Sequence, residues 1–190
     1  ETYGVANSPS GLVVGDVDDD GADDVIVSAT SVAGVRVFLN DAGALAESGR
    51  FAIIPAPMRP HVFDFTNDGL ADLVVPGLSG NAIAFAENAG GGAFLAAKGL
   101  DFDHVPGSMA IGLLAGGDAF PDLAIGFNKD LFAPAQVQVL ANAAGSFSSV
   151  PTSSTVLSSD AIVAVDVGNF DDAHGLDLAL TSGESTDTGD

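Results

Sequence analysis

Apolar residues in this chain come in short runs, each closed by Gly, Asn, Asp or Pro. Leu12-Val13-Val14, Val25-Ile26-Val27 and Val35-Arg36-Val37-Phe38-Leu39 are rich in β-branched residues and bounded in this way, which predicts strands. Gln136-Val137-Gln138-Val139-Leu140 alternates polar and apolar residues, the period of a strand with one buried face. No window of about 11 residues carries the three-four spacing of a helical stripe. The pattern predicts an all-β chain.

The runs also keep step with one another. Asp24-Val25-Ile26-Val27 recurs as Asp72-Leu73-Val74-Val75, Asp122-Leu123-Ala124-Ile125 and Asp177-Leu178-Ala179-Leu180, at a period of about 50 residues. After each of the first three steps an asparagine (Asn40, Asn88, Asn142) leads through Gly43, Gly92 or Gly145 to Leu45, Phe94 or Phe147. Two landmarks in step predict repeats over 1–50, 51–100, 101–150 and 151–190, forming one segment from 1 to 190. Each unit supplies a strand before the aspartate-rich turn, one after it, a third ending at the asparagine, and a fourth near the glycine–aromatic pair. Four short antiparallel strands per repeat make the blade of a β-propeller. The fourth unit has two inner strands and then a polar tail, 182–190, so about three and a half blades are expected. A propeller closes only when its last blade meets its first, so either flanking blades or self-association must complete the ring. Glu1 opens the chain without methionine or a signal peptide, and a longer parent is the expectation.

Composition narrows the function. Acidic residues outnumber basic ones 26 to 5, for a net charge of −21, which argues against nucleic acid and anionic membrane surfaces as partners. Hydrophobic residues at 47% argue equally against a disordered acidic chain. Cysteine is absent, which removes disulfides and thiolate metal sites. No apolar stretch approaches the ~18 residues of a membrane helix, so no membrane insertion is expected.

The acidic residues are most crowded in Asp16-Val17-Asp18-Asp19-Asp20-Gly21-Ala22-Asp23-Asp24, six carboxylates in nine positions. Two such charges ~5 Å apart repel by ~3 kcal/mol at an effective dielectric of 20, so a folded loop holding them together needs a cation. Carboxylates at positions 1, 3, 5 and 9, glycine at 6 and a backbone carbonyl at 7 form a hard-oxygen set suited to Ca²⁺. A helical calcium hand would need an acidic residue at position 12, which is Val27. A dockerin-type loop fails on the same point, and thrombospondin-type calcium repeats need cysteines.

The segment from Gly15 to Val25 resembles the FG-GAP or VCBS repeat of integrin α-subunit heads and many bacterial surface proteins. The resemblance extends over the chain as four units, the first two carrying the fuller motif. It implies a Ca²⁺ loop on the turn between the first two strands of a blade. Carried across, the first site would use Asp16, Asp18, Asp20, the carbonyl of Ala22, and Asp24. The second would use Asp64, Thr66, Asp68, the carbonyl of Leu70, and Asp72, with Gly69 at the turn. Thr66 offers only a neutral hydroxyl, so this site should bind more weakly. In the third unit Leu114 and Gly116 fall on positions 1 and 3, and only Asp118 and Asp122 remain; no metal is expected there. The fourth, with Asn169, Asp171, a carbonyl at Gly175, and Asp177, has Ala173 at position 5 and His174 in place of glycine, and is expected to be partial. One to two Ca²⁺ ions, with the fourth loop as a third candidate, are therefore the implied cofactors.

Nothing comparable points to a reaction. His61, His104 and His174 lie in different units, and Ser79 misses the hydrolase nucleophile elbow by one position. Gly90-Gly91-Gly92 has no phosphate-loop lysine after it. Asp101-Phe102-Asp103-His104 reads as a polar loop. Arg36, Arg50, Arg59, Lys98 and Lys129 are too dispersed for an anion patch. The expectation is a non-enzymatic, secreted, periplasmic or cell-surface module that binds a protein or glycan ligand where Ca²⁺ is abundant. The alternative is a lectin-type propeller, which the absence of Trp and the single Tyr3 make less favourable; the propeller of a secreted polysaccharide-degrading enzyme comes after that.

Overall fold

A computed structural model of the chain describes residues 2–5, 8–115, 117–128, 134–148, 150–156, 161–170 and 176–183. Contacts divide the chain into two compact units, Glu1–Asp101 and Phe102–Asp190. The first unit holds two four-stranded sheets. Blade 1 is β1 (Pro9–Gly15), β2 (Asp24–Ala29), β3 (Gly34–Asp41) and β4 (Ala44–Ala52); blade 2 is β5 (His61–Phe63), β6 (Asp72–Pro76), β7 (Ala82–Ala86) and β8 (Lys98–Asp101). The second unit holds blade 3, made of β9 (Pro106–Gly112), β10 (Asp122–Phe127), β11 (Gln136–Leu140) and β12 (Ser153–Val156), and the pair β13 (Ala161–Gly168) and β14 (Asp177–Gly183). Every pairing is antiparallel between neighbours in sequence. Three blades and half of another are present, and no α-helix occurs among the described residues.

The fourth strand departs from expectation in two blades. In blade 1, Ala42 and Gly43 both take left-handed φ, 51° and 90°, forming a mirror-image two-residue turn whose twist suits continued pairing. Strand β4 therefore starts at Ala44. In blade 2, Gly90, Gly91 and Gly92 are all left-handed and interrupt the ladder, leaving one bridge, Asn88↔Phe94, before β8. Blade 3 likewise makes one bridge, Asn142↔Phe147, and β12 follows. The aromatic landmark packs instead: Phe94 is buried and meets Phe51 of blade 1 edge-on at 5.4 Å.

Inner strands such as Leu73-Val74-Val75 are apolar without alternation because both of their faces are covered. In the first unit Val17, Ile26, Val35, Val37, Leu73, Val75 and Ala84 share one core. In the second, Ala110, Ala124, Val137 and Val165 form another. Two arginines that look isolated in sequence face each other here, since Arg36 pairs with Arg50 across β3 and β4. Like charges opposite one another oppose pairing, and Glu47 bonds to both. Hydrogen bonds from Arg36 and then Arg50 hold the Glu47 carboxyl down at about 2.

His61 opens β5, and burial, with a smaller push from the Arg59 charge, lowers its imidazole from 6.5 to about 4. The unfolded chain therefore takes up this proton first as pH falls, and folding loses stability between pH 6.5 and about 4. His61→Gln should remove about 2 kcal/mol of that loss. Urea melts of both proteins across the window read the difference; parallel pH profiles would contradict it.

Candidate metal centre

Each unit is pinned by the aspartate that opens its second strand. Asp24 is fully buried, and its Oδ2 accepts the Val17 N–H at 2.9 Å while Oδ1 accepts the Asn40 N–H at 2.9 Å. Asp72 repeats this with the N–H groups of Phe65 and Asn88, at 3.0 and 2.8 Å, and adds the Thr66 N–H and hydroxyl. Asp122 accepts from Leu114, Ala115 and Asn142 at 2.8, 2.6 and 2.9 Å. Asp177 accepts from Phe170 at 2.8 Å. The asparagines complete the pattern. Asn40, Asn88 and Asn142 donate Nδ2–H to the carbonyls of Asp23, Ala71 and Pro121, and their Oδ1 atoms accept from Gly43, Gly90 and Gly145. The two sequence landmarks are thus hydrogen-bonded to each other within each of the three blades. Their recurrence marked a repeat without revealing this contact.

Loops 1 and 2 share a backbone shape as well. Position 4 is left-handed in both, Asp19 at 65° and Asn67 at 59°, as is the glycine at position 6, Gly21 at 87° and Gly69 at 93°. Asp and Asn are the side-chain-bearing residues that best tolerate this region. The position-1 carboxylates turn inward: Asp16 accepts from Asp19 and Gly21, and Asp64 from Asp68 and Gly69. Asp20 and Asp68 each accept the N–H two residues on, from Ala22 and Leu70.

Loop 1 brings Asp16, Asp18 and Asp24 together, with one oxygen from each lying within 4.8 Å of the others. Oxygens bound to one Ca²⁺ at ~2.4 Å can be at most about that far apart, so these three fit the ion. Each already accepts backbone N–H bonds, and a carboxylate oxygen has a second lone pair to offer. Asp20 does not join the group, nor do three carboxylates of loop 2. There the Thr66 hydroxyl lies between Asp64 and Asp72, at 3.4 and 3.2 Å, where loop 1 has the Asp18 carboxylate. The crowding has an electrostatic signature. Asp18 is pushed above the usual carboxylate range by burial and by the charges of Asp24, Asp20 and Asp16. Burial likewise raises Asp72, offset in part by its N–H donors.

The third loop keeps the pinning aspartate and little else. Gly117 is left-handed at position 4, but Ala119 stands where loops 1 and 2 have glycine, and Asp118 caps the Phe120 N–H. The register is also one residue longer: Gly15 pairs with Asp24, whereas Gly112 pairs with Asp122. In the fourth unit Asn169 and Asp177 flank the loop, Asn169 being exposed. Asp171, Ala173, His174 and Gly175 lie outside the described residues. Among the other candidates, His104 packs against Phe127 with ring centroids 6.5 Å apart, and Ser79 is exposed.

Residues 16–75, which contain both loops, match the FG-GAP-like repeat family. No curated protein matches the chain in sequence. Among solved structures the chain is similar to BBS1N, a β-propeller, in the crystal structure of BBS1N in complex with ARL6DN soaked with lead. That likeness has a TM-score of 0.61 at 11% identity and covers 94% of this chain and 52% of that one. The chain thus spans about half the length of this neighbour. The fold is that of β-propeller blades, and loops 1 and 2 lie in an FG-GAP-like repeat.

Proposed function

We propose that this chain is a calcium-stabilised, non-enzymatic binding or adhesion module that works outside the cell on a protein or glycan ligand. The convergence of Asp16, Asp18 and Asp24 carries the reading, supported by the FG-GAP-like match over both loops. Asp16, Asp18, Asp24, Asp20 and the Ala22 carbonyl would hold the ion in loop 1. Asp64, Thr66, Asp68, the Leu70 carbonyl and Asp72 would form the weaker set in loop 2. Bound calcium supplies positive charge to the crowded carboxylates. The chain itself supplies a turn already shaped by Gly21 and fixed to β2 through Asp24, so that binding and folding are linked.

Millimolar Ca²⁺ is therefore expected to stabilise the first unit by about 2 kcal/mol, roughly 10 °C in Tm, and a chelator should reverse it. Asp18→Ala, which removes one of the three converging carboxylates, should abolish most of the gain, and Asp118→Ala should leave it intact. Calorimetric melts with and without Ca²⁺ read this directly. Superimposable wild-type melts would end the calcium reading. A screen of immobilised glycans and extracellular matrix proteins, with and without Ca²⁺, tests the binding role.

A further inference from the structure

Loop 1 is held from two blades. Val17, at position 2, lies between two of the three converging carboxylates. Its N–H is taken by Asp24 of its own blade, and its side chain is 1% exposed in the shared core. Its carbonyl points to blade 2, accepting the Asn88 Nδ2–H at 2.8 Å and the Gly92 N–H at 3.1 Å. Asn88 is only 5% exposed and is fixed in turn by Asp72, Ala71 and Gly90. This side chain therefore does two jobs with one amide group. One Nδ2–H bond closes its own blade, as in Asn40 and Asn142; the other crosses to the backbone between Asp16 and Asp18.

We propose that Asn88 is a positioning residue for the loop 1 cation site, tying calcium occupancy in blade 1 to the glycine turn of blade 2. The inference rests on the calcium reading of loop 1 and extends it to regulation. The peptide following Val17 sets where the Asp18 backbone begins, so freeing its carbonyl loosens two ligands together. Linkage makes the effect reciprocal: an ion that orders loop 1 must also steady the Asn88–Gly92 turn. Calcium at loop 1 then acts on the junction between two blades as well as on one hairpin.

The test uses the 190-residue chain carrying Asp64→Ala, so that loop 2 does not contribute. Asn88→Ser in this background retains a short hydroxyl for the Gly90 N–H and cannot reach Val17. Calcium affinity by isothermal titration should weaken about tenfold, the scale typical of lost outer partners of metal ligands. In the Asp64→Ala chain with Asn88 intact, Ca²⁺ should slow hydrogen exchange at the Gly90 and Gly92 amides. That measurement holds even if Asn88→Ser does not fold. Calcium uptake with unchanged affinity in Asn88→Ser, or protection confined to loop 1, overturns the link alone. No calcium uptake by the Asp64→Ala chain overturns the loop 1 reading and the link with it.

Discussion

Asp72→Ala is expected to cost the first unit about 4 kcal/mol even when a chelator holds calcium away. The carboxylate is fully buried and accepts three backbone N–H groups and one hydroxyl. Alanine leaves those donors inside the protein with no acceptor, at ~1–3 kcal/mol for each one that water cannot reach. Asp72→Asn keeps one acceptor oxygen and should lose about half as much. The decisive comparison is Asp122→Ala. Its loop lacks carboxylates at positions 1 and 3, yet Asp122 accepts three N–H groups at 1% exposure. If the recurring aspartate is primarily a backbone anchor, the second unit should lose about 4 kcal/mol as well, unchanged by chelator. If it serves only to bind metal, Asp122→Ala should be silent. Denaturant melts separate these outcomes, and exchange at the Leu114, Ala115 and Asn142 amides locates the damage.

That comparison also shows what the chain makes legible. Strands and the loop 1 carboxylates are legible because each is written within a few neighbouring residues, and the blades because those local marks recur at a steady period. In sequence a carboxylate at position 9 shows only that it can serve as a ligand, and not that it also anchors backbone N–H groups. Those donors include Asn40, Asn88 and Asn142, 16 to 20 residues on. The Asn88–Val17 bond spans 71 residues and leaves no local pattern at all. Arg36 and Arg50 looked dispersed for the same reason, since pairing across β3 and β4 brings them opposite each other. Features set by register or by packing between blades had to come from the fold.

Gly11 is such a feature, and Gly11→Ala is expected to destabilise the first unit by about 3 kcal/mol or more. In sequence it looks like a residue that merely bounds an apolar run, but it lies inside β1. A methyl group there would sit 2.3 Å from the Arg59 Cα and 3.0 Å from the Arg59 nitrogen. Both are backbone atoms of the segment leading into β5, so no rotamer change relieves the clash and one strand must move. Gly15, at the other end of β1, lies equally close to blade 2, where its Cβ would stand 2.7 Å from a Val62 methyl. The glycines therefore seat β1 against blade 2, and loop 1 begins at the next residue. Pushing β1 away should also stretch the bond from Asn88 to Val17, so Gly11→Ala should blunt the calcium response in addition to lowering stability. Gly99→Ala supplies the control, because a methyl on this exposed β8 residue meets nothing within 4 Å and should change stability by no more than ~0.5 kcal/mol. Urea denaturation of the two variants, with and without Ca²⁺, measures both effects. Equal stability for Gly11→Ala and Gly99→Ala would mean that β1 and blade 2 do not approach at Arg59.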